Sequence, residues 1–475
     1  MKKNIIIFIS FIFAITLNAQ SGGSVGVTDA ISAGMANTYI TTSTGVYSVG
    51  KNPANFMFSE DNHFEVSTIL PLPNLGLYVG ADFITFKEYN YYFGGEEVNG
   101  QTEGRYLTDD DKTNLKNLFE KGGITTGGIS VNYLSVMYKA DKDIGAFGFS
   151  ISGNFGASVD FPKGIVEIAL EGNPVGSIYN FDGSYIRASY YRDYTFTYAR
   201  EFTNLFDDTF KMFSAGISMK LIHGFAYIET ERMNSSIETG PKSELITTGD
   251  ILAHAAFSPD FGIKYSYDST DVESNASAFP TPAGTGFGVD LGFTAQLDDI
   301  WTFGLAITDM GSINFTERVI EYKSDKALIL EDISDQAQRD SLVEVFRGEG
   351  NPISEISSAL PTALRMGASA RVDRLVGEFP GTLVVALDYN QGLNTKIRNS
   401  TVPRFSLGAE WRPYESWPIR TGFSFGGRDG LAWSFGSGVD LGLVEMNISA
   451  FRFGNLLDAS NASKFTVAFG SRWKF

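Results

Sequence analysis

The C-terminal twelve residues alternate between apolar side chains and polar or small ones. One series of every second residue holds Phe465, Val467, Phe469, Ser471, Trp473 and Phe475, and the other holds Lys464, Thr466, Ala468, Gly470, Arg472 and Lys474. Successive side chains of a β-strand point to opposite faces, and one apolar face over roughly ten residues is typical of a transmembrane strand. An edge strand of a soluble sheet would leave the aromatic row exposed, which natural sheets avoid. The pattern therefore favours a strand in contact with lipid.

The same alternation recurs along the chain and predicts about 14 strands, an even number as in single-chain bacterial barrels. These strands start near residues 74, 128, 143, 183, 212, 285, 300, 361, 381, 403, 418, 430, 442 and 464. Only helices and closed barrels satisfy the backbone in lipid. No stretch after the N-terminal apolar run approaches the roughly 20 residues of a membrane helix. We therefore predict an all-β fold, a transmembrane antiparallel up-and-down β-barrel.

Composition narrows the class further. Aromatic residues reach 14% of the chain, charged residues make up 19%, and the net charge is −18. A chain this negative would repel the phosphates of nucleic acid, so a nucleic-acid partner is not expected. The sequence has no cysteine, which excludes a disulfide framework and a lipoprotein anchor on an acylated cysteine.

The N-terminus has the pattern of a secretory signal peptide. Lys2 and Lys3 precede the apolar run Ile5 to Leu17, and the small residue Ala19 precedes Gln20. The run of about 13 residues is short for a membrane anchor, which is the alternative interpretation. We predict cleavage of residues 1–19 and export to the cell outer membrane.

Strand directions follow once Phe475 is placed at the periplasmic end of the barrel, which we assign to residues 63–475. Short periplasmic turns then fall near residues 139–143, 297–299 and 412–417, and long extracellular loops near residues 88–127, 160–182, 229–284, 314–360 and 390–402. Short turns inside and long loops outside are the usual asymmetry. The tryptophans beside predicted periplasmic ends, where an aromatic girdle belongs, are Trp301, Trp411, Trp417 and Trp473. Trp433 does not fit this girdle.

Residues 20–62, between the signal and the barrel, do not alternate and are rich in Gly, Ser, Thr and Ala. Such a segment either forms a disordered arm or folds into the lumen. A lumen of about 14 strands leaks when it is empty, so we predict an N-terminal luminal plug, called the hatch below. A hatch outside the lumen would instead make the protein an open diffusion porin.

The hatch carries a family resemblance. The run Ser32 to Asn37, followed by Asn52-Pro53-Ala54 and a barrel ending in Phe475, resembles the long-chain fatty acid transporter (FadL) superfamily. The resemblance is closer to the type IX secretion-associated and uncharacterised relatives of this superfamily. The segments Pro361–Gly367 and Gly422–Gly436 are similar in sequence character to those relatives. It implies that Asn52, Pro53 and Ala54 form a hatch motif. Trp473 and Phe475 resemble the C-terminal signal read by the barrel-assembly machinery.

Two predicted outer loops contain short amphipathic helices. Thr108 is a plausible N-cap for the first helix, and the apolar side chains of the two helices include Leu115, Leu118, Phe119, Leu342 and Phe346. These side chains either pack the loops onto the barrel or form an extracellular apolar groove for a hydrophobic ligand. Packing is the commoner role of such stripes.

Several charged residues of the strands point into the lumen by parity. They are Arg365, Arg371, Arg404, Arg420, Arg472, Asp290, Asp388, Glu410 and Glu445. Inward charges in a barrel usually pair across strands to brace the wall or hold a plug. The sharper hypothesis is that Arg365, Arg404 or Arg420 binds a carboxylate headgroup through two hydrogen bonds.

The sequence offers little for enzymatic chemistry. His63, His223 and His254 are isolated, and neither a metal-binding spacing nor a nucleophile motif accompanies them. The similar strings Gly286–Gly292 and Gly436–Gly442 alternate with apolar residues inside strand patterns, whereas a dinucleotide-binding motif needs a strand, the glycines and then a helix. The glycines are better explained as small interior positions. We expect no enzyme activity, no cofactor and no metal.

The leading hypothesis is a passive transporter of hydrophobic ligands gated by the hatch. The alternative is a non-enzymatic binding or scaffold barrel of a type IX-like secretion complex or a surface-assembly complex. The expected partners are outer-membrane lipid, the assembly machinery, and either a hydrophobic small molecule or a secretion-complex protein. An outer-membrane hydrolase would need a histidine beside a serine or aspartate on the outer face.

Overall fold

A computed structural model describes residues 29–58, 62–120, 122–141, 143–202, 210–263, 277, 279–331, 335–397, 399–427 and 430–475. The strands are β1 Phe64–Thr68, β2 Asn74–Ala81, β3 Glu96–Val98, β4 Gln101–Glu103, β5 Gly123–Lys139, β6 Ala146–Phe161, β7 Ile178–Asn180, β8 Tyr185–Glu201, β9 Met212–Thr239, β10 Leu245–Phe257, β11 Gly284–Gln296, β12 Trp301–Phe315, β13 Val319–Leu330, β14 Glu349–Pro352, β15 Ile356–Ala359, β16 Ala363–Arg371, β17 Thr382–Gly392, β18 Arg404–Arg412, β19 Ile419–Gly426, β20 Ala432–Asp440, β21 Val444–Phe451 and β22 Lys464–Lys474. The helices are α1 Ala30–Gly34, α2 Phe86–Phe93, α3 Asp109–Leu118, α4 Lys163–Glu171, α5 Gln336–Arg347, α6 Val372–Leu375 and α7 Phe453–Leu457. None of these helices is long and apolar enough to cross a lipid bilayer.

In the described residues, 14 antiparallel wall strands close into a barrel. Along the wall they run β1 with β2, then β5, β6, β8, β9, β11, β12 and β16 to β22 in sequence, and β22 pairs with both β1 and β2 to close the ring. Closure leaves no exposed sheet edge. The predicted fold class is confirmed, and each predicted start lies within five residues of the start of β2 or of one of the other thirteen wall strands. The first wall strand in fact begins at Phe64, because β1 already pairs with β5 and β22 below an interruption at residues 69–73.

The wall has apolar side chains outside and polar ones inside. On β9, Ile217, Met219 and Leu221 are 37%, 49% and 53% exposed, whereas the intervening Ser218 and Lys220 are buried. A barrel surrounded by water would expose the polar side chains and bury the apolar ones. The observed distribution is that of a barrel surrounded by lipid.

The two rims of the barrel differ. The rim near residues 140–145, 297–300, 372–381, 413–418 and 441–443 has short connections and is called the short-turn rim; the opposite one is the long-loop rim. Trp301, Trp411 and Trp473 lie in strand segments beside the short-turn rim, and Trp417 lies in a turn there. Trp433 lies near the long-loop rim, where its ring stacks with Phe423. Aromatic side chains thus occur near both rims, as expected at the two edges of a bilayer.

The long-loop rim carries more regular structure than the sequence predicts. The segments near 229–284 and 314–360 were expected to be loops, yet β9 continues to Thr239, and β10, β13 and β14 pair beyond it as an extension of the wall. Strands outside the bilayer need no continuous apolar face. Their sequences therefore lack the alternation that reveals the wall strands.

Candidate functional site: the hatch, the lumen and an outer groove

The described part of the hatch, Asp29–Phe58, fills the lumen near the short-turn rim. It consists of α1 and two 3-10 turns, Gly45–Ser48 and Pro53–Phe58. None of its residues is exposed, although many are polar. The predicted plug therefore folds inside the barrel, while the predicted signal peptide, residues 1–19, lies outside the described residues.

Glycines of the wall face the hatch around most of the barrel. They are Gly148, Gly216, Gly292, Gly304, Gly367, Gly408, Gly422 and Gly436, on eight different wall strands. A Cβ atom built on Gly292 would lie 2.1 Å from Oδ1 of Asn52, and one on Gly408 would lie 2.1 Å from Oγ1 of Thr38. No other residue type leaves this space. Gly292 and Gly436 come from the two glycine strings of the sequence. These positions lack a side chain because the hatch packs against them.

The motif Asn52-Pro53-Ala54 contacts two wall strands. Nδ2 of Asn52 lies 2.9 Å from Oγ1 of Thr294 and 3.3 Å from the carbonyl oxygen of Phe293, both on β11. The backbone of Pro53 and Ala54 passes so close to Gly216 on β9 that a Cβ there would lie 2.4 Å from the Pro53 carbonyl carbon. The residues that carried the family resemblance therefore hold the hatch against the wall.

Carboxylates hold the hatch at three further points. Oδ2 of Asp388 accepts hydrogen bonds from the backbone N–H groups of Tyr39, at 2.7 Å, and Ile40, at 3.0 Å. Glu65 accepts one from the N–H of Val46 at 3.0 Å. Within the hatch, the ammonium of Lys51 pairs with the buried Asp29. Burial raises the pKa of Asp29, but the Lys51 charge outweighs it, so this pKa lies below its ordinary value.

The three arginines proposed as ligand-binding residues are all buried. Arg365 donates to the hydroxyl oxygens of Tyr39 in the hatch and of Thr308, the latter at 3.1 Å. Arg404 lies on β18 opposite Asn390, and its charge acts on the neighbouring Asp388. These two side chains therefore lie where the hatch meets the wall.

Arg420 belongs to a ladder of alternating charges on the inner wall. Its Nε lies 2.5 Å from Glu410, and its Nη2 lies 3.6 Å from Glu445. Arg472 continues the ladder, at 2.7 Å from Glu445 and 3.4 Å from Glu65. The ladder links β18 and β19 to β21, β22 and β1. Its last member, Glu65, also accepts the hydrogen bond from Val46 of the hatch. This geometry favours the bracing role for Arg420. Of the remaining inward charges, Asp290 pairs with Lys220 and Arg371 with Asp373.

A cavity of about 120 Å³, called the polar cavity for its charged and amide side chains, lies on the long-loop side of the hatch, and apolar side chains such as Val46 and Ile222 also border it. It is bordered by Asn132, Asn154, Asp193 and Lys220 among others. Lys220 pairs with Asp309 at 2.6 Å, and Asn154 donates to Asp193 at 2.9 Å. An apolar molecule would displace water from these groups without replacing its hydrogen bonds, which is unfavourable.

An apolar groove lies at the long-loop rim, between α4, α5 and the outer face of the wall. It has a volume of about 480 Å³ and is bordered by Val159, Phe161, Ile165, Ile168, Phe181, Ile186, Met233, Ile237 and Phe346, with few polar side chains. The Phe181 and Phe346 rings pack edge to face, with centroids 5.6 Å apart. Phe346 was predicted from the sequence as a groove residue, whereas Ile165 and Ile168 were not. Their spacing of three residues on a short apolar helix could have indicated an apolar face there.

The other predicted groove residues lie elsewhere. Leu115 and Phe119 are buried, and the Phe119 ring packs 4.4 Å from Phe83. Leu118 borders a separate recess of about 750 Å³, called the outer vestibule, with Phe83, Asp160, Tyr185 and residues 395–397. Leu342 is half-buried on α5. Of the two helices predicted in the outer loops, α3 therefore packs its apolar side chains onto the barrel, and α5 borders the apolar groove.

Among the residues that the structure describes, the histidines do not assemble a nucleophilic site with a serine. The His254 ring nitrogens lie 3.1 Å from Glu231 and 3.3 Å from Glu321, whereas Ser258 accepts from the N–H of Asp260. His223 packs edge to face against Tyr194. Among the described residues, no cluster of three or more His, Asp and Glu could hold a metal ion.

The C-terminus closes the ring at the short-turn rim. Phe475 and Phe64 exchange two backbone hydrogen bonds of 2.8 and 3.0 Å, and their rings lie 6.0 Å apart. Nε1 of Trp473 donates to the carbonyl of Leu70 at 3.3 Å. Both predicted assembly-signal residues therefore lie in the seam where the last wall strand meets the first.

Several solved structures are similar to this chain over most of its length. The toluene transporter TbuX of Ralstonia pickettii is 13% identical, with 96% of this chain and 99% of that chain covered and a TM-score of 0.45. The P. putida toluene transporter TodX is 12% identical, with 94% and 98% covered and a TM-score of 0.46. A Pseudomonas aeruginosa FadL homologue is 11% identical, with 96% and 100% covered and a TM-score of 0.45.

The resemblance to the FadL superfamily and the closer likeness to its type IX secretion-associated relatives stay predictions. No curated protein matches the sequence. The model of a family of unknown function (DUF5723) matches residues 72–450. This match spans more than half of the chain, and the chain therefore belongs to the DUF5723 family.

Proposed function

We propose that this protein is a passive outer-membrane transporter of hydrophobic ligands, exported by its signal peptide and gated by the hatch. The observation that carries the proposal is the apolar groove of about 480 Å³ at the long-loop rim of a barrel whose lumen is plugged. Lipid surrounds the wall, the long-loop rim faces the outside of the cell, and the barrel-assembly machinery inserts the chain through Trp473 and Phe475.

The groove is the capture site. Its apolar lining is open to the surroundings, and a ligand that buries roughly 200 Å² of apolar surface there gains about 5 kcal/mol before the ordering cost is subtracted. Few polar groups border the groove, so it selects by size and hydrophobicity rather than by a headgroup. Large exposed apolar clefts are uncommon on proteins without an apolar partner.

The hatch is the gate on the short-turn side. It is held by hydrogen bonds, as at Asp388 and Asn52, and by small apolar clusters such as Phe56 with Met137 of the wall. Water can replace such bonds at a net cost of about 1 kcal/mol each. A bound ligand opens the gate only when it favours the open arrangement over the closed one.

Native mass spectrometry of the barrel, purified from its own membrane in mild detergent, tests the proposal. We expect a co-purified hydrophobic molecule that is retained by the parent and lost from the Phe346→Asp and Ile168→Asp variants. Phe93→Asp, an exposed aromatic position on α2 away from the groove, is the matched control and should keep the molecule. A parent barrel that carries only bulk lipid, unchanged by Phe346→Asp, would contradict the capture site.

A scaffold of a secretion or surface-assembly complex is the second candidate. The observation that favours it is α2, whose Phe86, Tyr89 and Phe93 are 43%, 54% and 55% exposed at the long-loop rim. An exposed aromatic helix face suits a protein partner. An empty barrel that co-purifies with a stoichiometric protein, released by Phe93→Asp, would support this function instead.

A further inference from the structure

The connection after β17 folds into the mouth of the barrel rather than away from it. We call Leu393–Ile397 the strap. Its root is bound to the neighbouring wall, since the N–H of Leu393 donates to the carbonyl of Thr362 at 2.7 Å and Nδ2 of Asn394 donates to that of Leu360 at 2.7 Å. Residues 390–402 were predicted to form an outer loop, and their turn into the mouth of the barrel was not predicted.

The far end of the strap reaches a distant part of the wall. Nζ of Lys396 lies 2.6 Å from Oε2 of Glu229, and Nη1 of Arg187 donates to the carbonyl of Thr395 at 3.4 Å. The strap follows the ninth wall strand, whereas Arg187 and Glu229 belong to the fourth and fifth. These contacts therefore bridge the mouth.

Apolar side chains cluster on the wall beneath the strap. Ile222, Ile313, Phe315 and Leu360 form a buried cluster on the inner side of the wall. Ile397 borders a small cavity of about 30 Å³ together with Ile313, Phe315 and Leu360. Apolar side chains at this level disfavour the passage of water and polar solutes.

On the other side of the mouth, a tyrosine separates the outer vestibule from the polar cavity. Along β6 the vestibule ends at Ser158, and the cavity begins at Asn154. Between these levels the buried Tyr78 lies against Gly128, where a Cβ would approach its ring to 2.6 Å. The hatch therefore lies on one side of the polar cavity, and the strap, the apolar cluster and Tyr78 lie towards its long-loop side.

We propose that the strap is a second gate, on the long-loop side, which the Lys396–Glu229 ion pair holds shut independently of the hatch. The strap has no helix or strand, and it reaches the far wall through the Lys396–Glu229 pair and the Arg187–Thr395 hydrogen bond; segments without regular structure are among those that open locally. Glu229 is almost fully buried and also accepts from the hydroxyl of Tyr227 at 2.7 Å. A buried carboxylate holds an ammonium strongly, and removal of either partner weakens the attachment. The proposal concerns access to the lumen and holds for any transported molecule.

The absence of native cysteine allows a direct test in the full-length protein. Ser152→Cys places a single thiol on the wall of the polar cavity, and its rate of modification by a small charged methanethiosulfonate measures access. We expect slow modification in the parent background and an increase of about tenfold or more with Lys396→Gln or Glu229→Gln. Glu229→Gln also removes the contact of Glu229 with Arg187 at 3.8 Å. The double variant should therefore match Glu229→Gln, because Lys396 has no Glu229 carboxylate left to bind.

Matched controls separate opening from general loosening. Lys326→Gln removes an exposed ion pair with Glu349 at the same rim and should leave the rate unchanged. Gly104→Cys, an exposed position, reports the intrinsic rate of the reagent. Heat-dependent gel mobility verifies that each barrel is folded, and Lys396→Gln keeps the test valid if Glu229→Gln does not fold.

The modification rates test the second gate whatever molecule the barrel transports. Fast modification in the parent, or a rate that both strap variants leave unchanged, overturns the second gate. Loss of the co-purified hydrophobic molecule in Phe346→Asp, with the strap behaviour intact, would bear only on the capture site.

Discussion

The side-chain amide of Asn52 lies 2.9 Å from the hydroxyl oxygen of Thr294, and this contact ties the hatch to β11. The same hydroxyl donates to Oδ1 of Asn55 at 2.6 Å. All three side chains are buried, so a lost partner leaves a polar group unsatisfied. One wall threonine thereby fixes the position of two hatch asparagines.

Replacing Asn52 with alanine should loosen the hatch by about 1–3 kcal/mol, because the hydroxyl of Thr294 and the carbonyl of Phe293 lose a donor. We expect faster amide hydrogen exchange in residues 29–58 and larger ion conductance in planar bilayers, once the strap is opened by Lys396→Gln. Asn117→Ala, an exposed position at the opposite rim, is the control. Exchange rates equal to those of the parent would show that the motif does not hold the hatch.

Valine at a wall glycine should expel the hatch without unfolding the wall. A Cβ at Gly408 would lie 2.1 Å from Thr38 and 2.6 Å from the carbonyl of Met35, and overpacking of this kind costs about 1–3 kcal/mol or more. Gly408→Val should make the hatch sensitive to protease in a barrel that still migrates as folded. Gly104→Val, with no atom within 4 Å of its Cβ, should leave the hatch protected. Equal protection in both variants would argue against close packing at the wall.

Arg420 should contribute to stability rather than to ligand affinity. Arg420→Met leaves the buried Glu445 and the half-buried Glu410 with fewer positive partners, which typically costs about 3–5 kcal/mol. We expect a lower unfolding temperature and unchanged affinity for a hydrophobic probe. Arg374→Met removes an exposed ion pair with Asp299 and should shift the temperature little. Reduced probe affinity at unchanged stability would restore the headgroup hypothesis.

The hatch should loosen in acid through Asp29. Because its folded-state pKa lies below the ordinary value, the charged form stabilises the fold above about pH 4, and this contribution disappears as the pH falls through the lowered pKa. Protease protection of residues 29–58, measured from pH 7 to pH 3, should fall at the acid end in the parent. Asp29→Asn keeps a side-chain cap for α1 and should show a weaker dependence on pH. Identical pH profiles would assign the acid response to other carboxylates.

The wall could be read from the sequence because each strand must satisfy lipid on one side and the lumen on the other. Residues 464–474 and 404–411 show this alternation directly, and both segments are strands in the structure. The outer extension, β10 with β13, escaped prediction because strands beyond the bilayer need no continuous apolar face. The inward charges were placed correctly by parity, since Arg365, Arg404 and Arg420 are buried.

The partners of those charges depended on the fold. Asp388 and Tyr39 are 349 residues apart in the chain, and no local spacing relates them. The apolar groove likewise joins Ile168 of α4 to Phe346 of α5, which the sequence separates widely.

The sequence by itself determined the barrel class, the positions of the wall strands and a small-residue segment suited to the lumen, because local periodicity encodes which face meets lipid. Only the tertiary structure decided that wall glycines match the hatch, that α3 packs while α5 lines a groove, and that the strap turns inward to Glu229. These features arise where segments distant in the chain meet. Their energies depend on shape and charge complementarity, which the pattern of a single strand does not contain.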